Sequence, residues 1–274
     1  MATATTVTTS VTPTRAGRGV GQVLRVAAPV VVGLAGLFVW WLLTDVVGVE
    51  EYLLPGPAEV REEFAANFDA IKEAATTTGV NALFGLVAGS VLGVLLATVA
   101  GWVRAVDGML APVVASIAVV PIVALAPVLN TMYGADSEYG RRMIATLAAF
   151  VPVFVNTLRG LRQTTPIQRD LMRATAAGPL QSFRAVTLPT AAPYAITGVR
   201  IASSLAVISA LVAEYFGGPR GGLGAFISTS AATSAYARAW AYVGAAILLG
   251  LAFYVVTAAI ERLAQHQWPT TDAR

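Results

Sequence analysis

Cysteine is absent from the 274 residues, which excludes disulfide frameworks and thiolate metal sites. Histidine occurs once, as His266 near the C-terminus, so the apolar stretches hold neither a His-cluster metal site nor a His-based triad. Lysine is equally scarce: of 18 basic residues only Lys72 is a lysine, and no Gly-rich turn precedes it. A Walker A loop needs a lysine to reach the β- and γ-phosphates, so this chain does not hydrolyse ATP by that route. Charged residues make up only 12% of the chain, against 56% hydrophobic residues and a mean hydropathy of +0.70. That balance lies outside the range of soluble domains and marks a polytopic membrane protein. The net charge of +3 is small, and no nucleic-acid partner is expected.

What is present is a series of long apolar runs. A bilayer core about 30 Å thick asks for roughly 20 apolar residues per helix. The runs 26–44, 74–103, 108–135, 143–158 and 239–260 carry no charge, and 185–213 is interrupted only by Arg200. Pro189 and Pro193 place the start of this last helix near Tyr194, giving an all-α protein with six transmembrane helices. Residues 1–21 are Thr-rich with Pro and Gly and are expected to be a disordered tail; 22–264 form the membrane domain and 265–274 a second tail. Arginine placement sets the orientation. Arg159, Arg162, Arg169, Arg173 and Arg184 crowd the loop between helices 4 and 5, while the loop between helices 1 and 2 is acidic. Both termini are therefore expected on the cytoplasmic side. Arg141 and Arg142 then fall on the outer side and weaken the pattern.

Smaller features follow from spacing. "LLPGPAEVREEFAANFDAIKEA" sets Val60, Phe64, Phe68 and Ile71 at helical intervals, predicting an amphipathic helix over about 57–73 at the outer surface. Helix 2 carries Asn81, Gly85, Gly89, Gly93, Ala97 and Gly101 at every fourth position, a stripe that lets another helix approach closely. Polar residues inside spans tend to face the bundle or a cavity, so Asn81, Asn130, Asn156, Ser203, Ser204, Ser209 and Glu214 are the candidates for a solute path. Each also suits bonding to a neighbouring helix. Glu214 has three readings: a gate, a contact for an outer protein, or a partner for Arg220. Arg200 reads as an anchor snorkelling to headgroups, and Tyr236, Trp240 and Tyr242 as an interfacial aromatic belt.

The loop between helices 4 and 5 runs over about 162–193, far longer than the few residues that neighbouring helices need. Leu180, Phe183 and Val186 share a helical face there. Physical reasoning alone leaves two readings level: a helix docked in a partner's groove, or one resting on anionic lipid. The stretch resembles the cytoplasmic EAA loop of the permease subunits of ABC importers, the binding-protein-dependent inner-membrane components. That loop reads Glu-Ala-Ala, three residues, Gly, nine residues, Ile, one residue, Leu-Pro. Anchoring on Leu188-Pro189 puts Val186 at the Ile position, Ala176 at the Gly position and Asp170 at the Glu position. Leu171-Met172 replace the alanine pair, and the missing glycine implies a bend displaced to Gly178-Pro179. "LLPGPAEV", "VPVFVNTLRGL" and "LPTAAPYAITGVRIASSLAVISALVAEYFGGPRGGLGAFI" extend the resemblance over most of residues 50–262.

The resemblance implies a type I importer permease of the cell membrane, itself non-catalytic, that dimerises with a second copy. ATP and Mg would be bound by a separate cytoplasmic ATPase, and an extracytoplasmic binding protein would deliver the solute. Docking to the ATPase would fall on Asp170, Ala174, Thr175, Ala176, Ala177, Gly178, Pro179, Leu180, Phe183 and Arg184. "PIVALAPVLNTMYG", "VNTLRGL" and "LMRATAAG" are closer to the branch for thiamine pyrimidine precursors or riboflavin than to the sulfonate, taurine and nitrate branch. Two other classes fit less well. A secondary transporter usually shows internal repeats, and none is evident; an intramembrane enzyme would need a catalytic constellation that the spans lack.

Overall fold

A computed structural model describes residue 28 and residues 30–134, 137–217 and 221–267; the tail expected over 1–21, Arg220 and residues 268–274 of the second expected tail lie outside the described residues. Among the described residues the chain is helical, with no strand. It divides into two units, Met1–Glu59 and Val60–Arg274. The first holds α1 (Val30–Val46), a short apolar helix whose last turn widens to π geometry over Leu42–Val46. From within this helix, Trp40 Nε1 donates to the Pro55 carbonyl at 3.0 Å.

α2 (Pro57–Ala66), most of which lies in the second unit, and α3 (Phe68–Trp102) meet at Asn67, whose φ of −108° and ψ of 21° interrupt the helix expected over 57–73. Asn67 turns its amide onto the Glu63 carbonyl at 2.9 Å, the kind of local side-chain bond that competes with helix continuation. Val60 and Phe64 pack on a core of Ile71, Leu223 and Tyr242, so the apolar face of α2 is satisfied by protein. At 35 residues α3 is about 52 Å long, well beyond the roughly 30 Å hydrocarbon layer.

The single helix expected over 108–135 is instead two, α4 (Arg104–Val119) and α5 (Ile122–Tyr133), bent by 94°. Pro121 causes the break: a proline drives the residue before it out of the α region, and Val120 has ψ 123°. α6 (Glu138–Leu161) follows, then α7 (Pro166–Ala174) and a 37-residue helix, α8 (Pro179–Tyr215). α8 starts well before the expected Tyr194. The Phe183–Thr187 stretch adopts a π turn, with Leu188 N–H bonding the Phe183 carbonyl. Such a widened turn relieves the clash that Pro189 would otherwise make with the preceding turn, and the helix continues through both prolines. α9 (Leu223–Ala232) and α10 (Tyr236–Gln267) complete the chain.

Among the described residues four helices have the length and apolarity to cross a membrane, and the bent α4–α5 pair would add a fifth. α3, α6 and α8 form the centre, around Ala82, Leu86, Ala149, Val153, Ala202 and Ala206. Small residues set the spacing. A methyl on Gly85 would collide with Ala145, and one on Gly89 would come within 2.6 Å of the Thr146 carbonyl oxygen. At Gly93 it would meet the Phe154 backbone nitrogen at 3.0 Å. α3 and α6 therefore touch backbone to backbone, where dispersion is gained without a bulky side chain between them.

Candidate functional site

Two regions carry chemistry: the connection between α6 and α8, and a set of polar side chains between the helices. In the connection, α7 starts with a capping box. The Thr165 hydroxyl accepts from Gln168 N–H at 3.3 Å, Thr165 N–H donates to Gln168 Oε1 at 2.9 Å, and Pro166 occupies the first turn. α7 ends in a left-handed residue, Ala176, with φ 52°. Ala176 N–H bonds the Arg173 carbonyl at 2.9 Å and Ala177 N–H the Met172 carbonyl at 3.0 Å, which together form a Schellman closure.

The bend therefore falls at Ala176. It was expected at Gly178-Pro179, but Gly178 has φ −68° and ψ 164°, an ordinary extended N-cap for α8. Left-handed geometry costs an alanine about 1 kcal/mol relative to glycine. Ala176→Gly is thus expected to raise stability by a few tenths to 1 kcal/mol, the gain being trimmed by the greater entropy of unfolded glycine. Denaturant unfolding of the detergent-solubilised chain reads this, and a loss of stability would contradict the assignment.

The rest of the connection is largely exposed. Leu180 is 51% and Leu171 61% exposed, and a side chain added at Gly178 would meet nothing within 4 Å. Asp170 pairs with Arg173 at 3.3 Å, but both side chains are solvated, so the pair contributes little. Thr175 turns its hydroxyl back to the Met172 carbonyl at 3.0 Å; Ala174 and Arg184 are exposed, and Ala177 is half-buried. Phe183 differs from its expected place on the outer face. It packs edge-on against Trp102, ring centroids 5.1 Å apart, and ties the connection to the end of α3.

The polar span residues do not gather in one place. Asn81 and Glu214 belong to a network at one end of the bundle. Asn81 donates to Glu138 Oε2 at 2.5 Å and accepts from Arg142 Nε at 3.1 Å. Glu138 pairs with the buried Arg141 at 2.7 Å, and Arg142 lies over the Phe84 ring. Glu214 accepts from the Thr78 hydroxyl at 2.7 Å and from Gly224 N–H at 3.2 Å. Thr78 accepts in turn from Leu223 N–H at 2.9 Å. Side chains of α3 and α8 thus satisfy the free N–H groups that open α9. Gly222, at φ 112°, leaves room for the carboxylate, with which any side chain there would collide.

Other candidates are solitary or serve helix contacts. Asn156 donates to the Pro152 carbonyl at 2.7 Å. Ser203 bonds the Arg200 carbonyl at 2.7 Å and the Thr257 hydroxyl at 3.0 Å, joining α8 to α10. Asn130 and Ser209 are buried, and neither Asn130 Nδ2 nor the Ser209 hydroxyl has a hydrogen-bond partner among the described residues. Ser204 lines an apolar cleft of about 480 Å³ between α8 and α10, with Val207, Ile208, Leu211 and Ile247.

Sequence reasoning missed Glu261. It is buried, accepts from Thr197 at 2.6 Å and pairs with Arg200 at 2.5 Å, so Arg200 is half of an interhelical ion pair and not a headgroup anchor. Only the pairing of α8 with α10 brings the two together, 61 residues apart in sequence. Thr78, Glu138 and Arg141 were missed likewise. Their one sequence signal was position, polar groups at the ends of apolar runs. Tyr242, expected in an aromatic belt, is buried and stacked on Phe226 at 5.0 Å.

The family model of the binding-protein-dependent transport system inner membrane component matches residues 89–266. The chain belongs to this family. It is thus a permease subunit of an ABC transporter, a transport component and a multi-pass membrane protein whose family works with an ATPase and a substrate-binding protein. It is 27% identical to a probable ABC transporter permease protein of Haemophilus influenzae, over 72% of this chain and 80% of that one. Similarity to the formylaminopyrimidine transport permease protein of Halalkalibacterium halodurans is 30% identity, over 68% and 74% of the two chains. The riboflavin transport system permease protein of Chloroflexus aurantiacus is 30% identical over 59% of each chain. The family match takes in the connection and all of α6, α8, α9 and the polar network except its α3 residues Thr78 and Asn81.

Proposed function

We propose that this permease subunit crosses the cytoplasmic membrane six times with both termini inside, and that the α7 connection receives the stroke of a separate ATPase. The layout would be a cytoplasmic tail over 1–21, a membrane domain over 22–264 and a second tail from 265. One observation carries the reading. The connection is exposed, and its second half is continuous with α8, a helix about 55 Å long that ends at Glu214 in the polar network. Force applied at Pro179 would reach the opposite end through one rigid element, as an exchange between two packings requires. The docking surface comprises Asp170, Ala174, Thr175, Ala176, Ala177, Gly178, Pro179, Leu180 and Arg184, with Phe183 as its inward anchor. A second copy of the chain completes the pathway.

Copurification tests the arrangement: the solubilised chain should retain an ATP-hydrolysing subunit. Gly178→Arg should leave folding and membrane insertion intact, since the site is open. It should lower transport about tenfold or more by placing a long cation in the docked surface. Wild-type transport by that variant, with the ATPase present, would exclude the docking assignment.

For the solute, the reading favours a small heterocycle such as a thiamine pyrimidine precursor or riboflavin. The 30% identities to permeases named for formylaminopyrimidine and riboflavin support this. A transport permease protein of Bacillus subtilis named for aliphatic sulfonates is 29% identical over a smaller share, 51% of this chain. A thermal-shift screen of the cognate binding protein with pyrimidines, riboflavin, taurine and alkanesulfonates decides between them.

A further inference from the structure

Beside the docking surface, meeting it at Ala177, is a recess that simple docking does not explain. It lies between α7 and the Ser182–Thr187 turn of α8, encloses about 170 Å³, and is lined in part by Thr164, Gln168, Arg169, Arg173, Ser182 and Thr187. No acidic side chain lines it. The Arg169 guanidinium has no ion-pair or hydrogen-bond partner among the described residues, and the Thr164 hydroxyl is buried without one. Arg169 and Arg173 stand one turn apart on one side of α7, while Ile167 and Leu171 project from the other, 81% and 61% exposed. The helix thus offers an apolar ridge beside a cationic, hydroxyl-bearing hollow.

Charge and size together restrict the occupant. Over residues 159–187 Asp170 is the sole acid against Arg159, Arg162, Arg169, Arg173 and Arg184; Arg162 is engaged by Asp107 at 2.6 Å and Asp170 by Arg173. The hollow is smaller than the roughly 300 Å³ at which drug-sized ligand sites begin. It suits the tip of one carboxylate side chain and is too small for a nucleotide. A guanidinium and a hydroxyl donor lining the same small recess match a carboxylate better than a diffuse headgroup layer.

We propose that this recess receives one Asp or Glu side chain of the ATPase subunit, held by Arg169 and the Thr164 hydroxyl. The proposal rests on the reading of the connection as the ATPase-facing surface. It adds a polarity to that contact, with the permease supplying the cation.

The scarcity of lysine makes a direct test possible. Lys72 on α3 is the chain's only lysine, and guanidinium groups do not react in carbodiimide coupling of amines to carboxylates. Arg169→Lys in the full complex should therefore give a zero-length crosslink to one acidic residue of the ATPase, absent from the wild-type complex. Arg169→Glu should lower ATPase retention about tenfold, and changing the crosslinked acid to Arg should restore it. An intact complex with no crosslink above wild type overturns the proposal, as does undiminished retention by Arg169→Glu. So does a result in which Arg169→Glu loses only bound phosphatidylglycerol, which would give the recess to lipid. Failure of the wild-type chain to hold any ATPase is a separate outcome, removing the ATPase-facing reading and this proposal with it.

Discussion

Gly89→Ala is expected to destabilise the permease by about 3 kcal/mol, the upper end of ordinary overpacking penalties. The added methyl would lie 2.6 Å from the Thr146 carbonyl oxygen and 2.8 Å from both Ala149 Cβ and Phe150 N, so backbone and not a mobile side chain must yield. Gly244→Ala is the matched control, because nothing lies within 4 Å of its added methyl. That change should stabilise α10 by about 0.5–1 kcal/mol, the usual benefit of alanine over glycine inside a helix. Opposite signs for one chemical change separate close packing from helix propensity. Membrane abundance and thermal unfolding in detergent supply the readout, and equal effects at both glycines would contradict the α3–α6 contact.

Arg200→Leu should have a comparable effect by another route. It leaves the Glu261 carboxylate, whose side chain is 6% exposed, with only the Thr197 hydroxyl for compensation. Removing one partner of a buried pair typically costs about 3–5 kcal/mol, and the 37% exposure of the Arg200 side chain puts this loss at the lower end, whereas replacing both with apolar residues is often close to neutral. The double variant Arg200→Leu, Glu261→Leu should therefore recover most of the loss. Thr197 tolerates this because its hydroxyl also reaches the Pro193 carbonyl at 3.1 Å. A double-mutant cycle on unfolding free energy measures the coupling. Additive losses would mean that the two charges are independently solvated.

The legible parts of the fold were those that depend on neighbours in sequence. Apolar run length marks α3, α6, α8 and α10 because every backbone polar group in lipid must be bonded within its own helix. The stripe from Gly85 to Gly93 could be read because helical period alone puts those residues on one face. Prolines were harder to read. Pro121 breaks its helix by 94°, while Pro189 and Pro193 sit within continuous α8. The same residue type gave both results: the Phe183–Thr187 turn widens ahead of Pro189, whereas Val120 turns extended ahead of Pro121. The bend at Ala176 shows a similar limit, because propensity argued for Gly178.

By itself the sequence determined the solvent of this protein, its helical class and its family. Those follow from composition, period and local motif. Tertiary structure alone decided which charges meet: Arg200 with Glu261, Thr78 with Glu214, Asn81 with Glu138 and Arg142. Buried polar groups take whichever partner the packing brings within about 3 Å, and that partner lies on another helix, where no sequence period points.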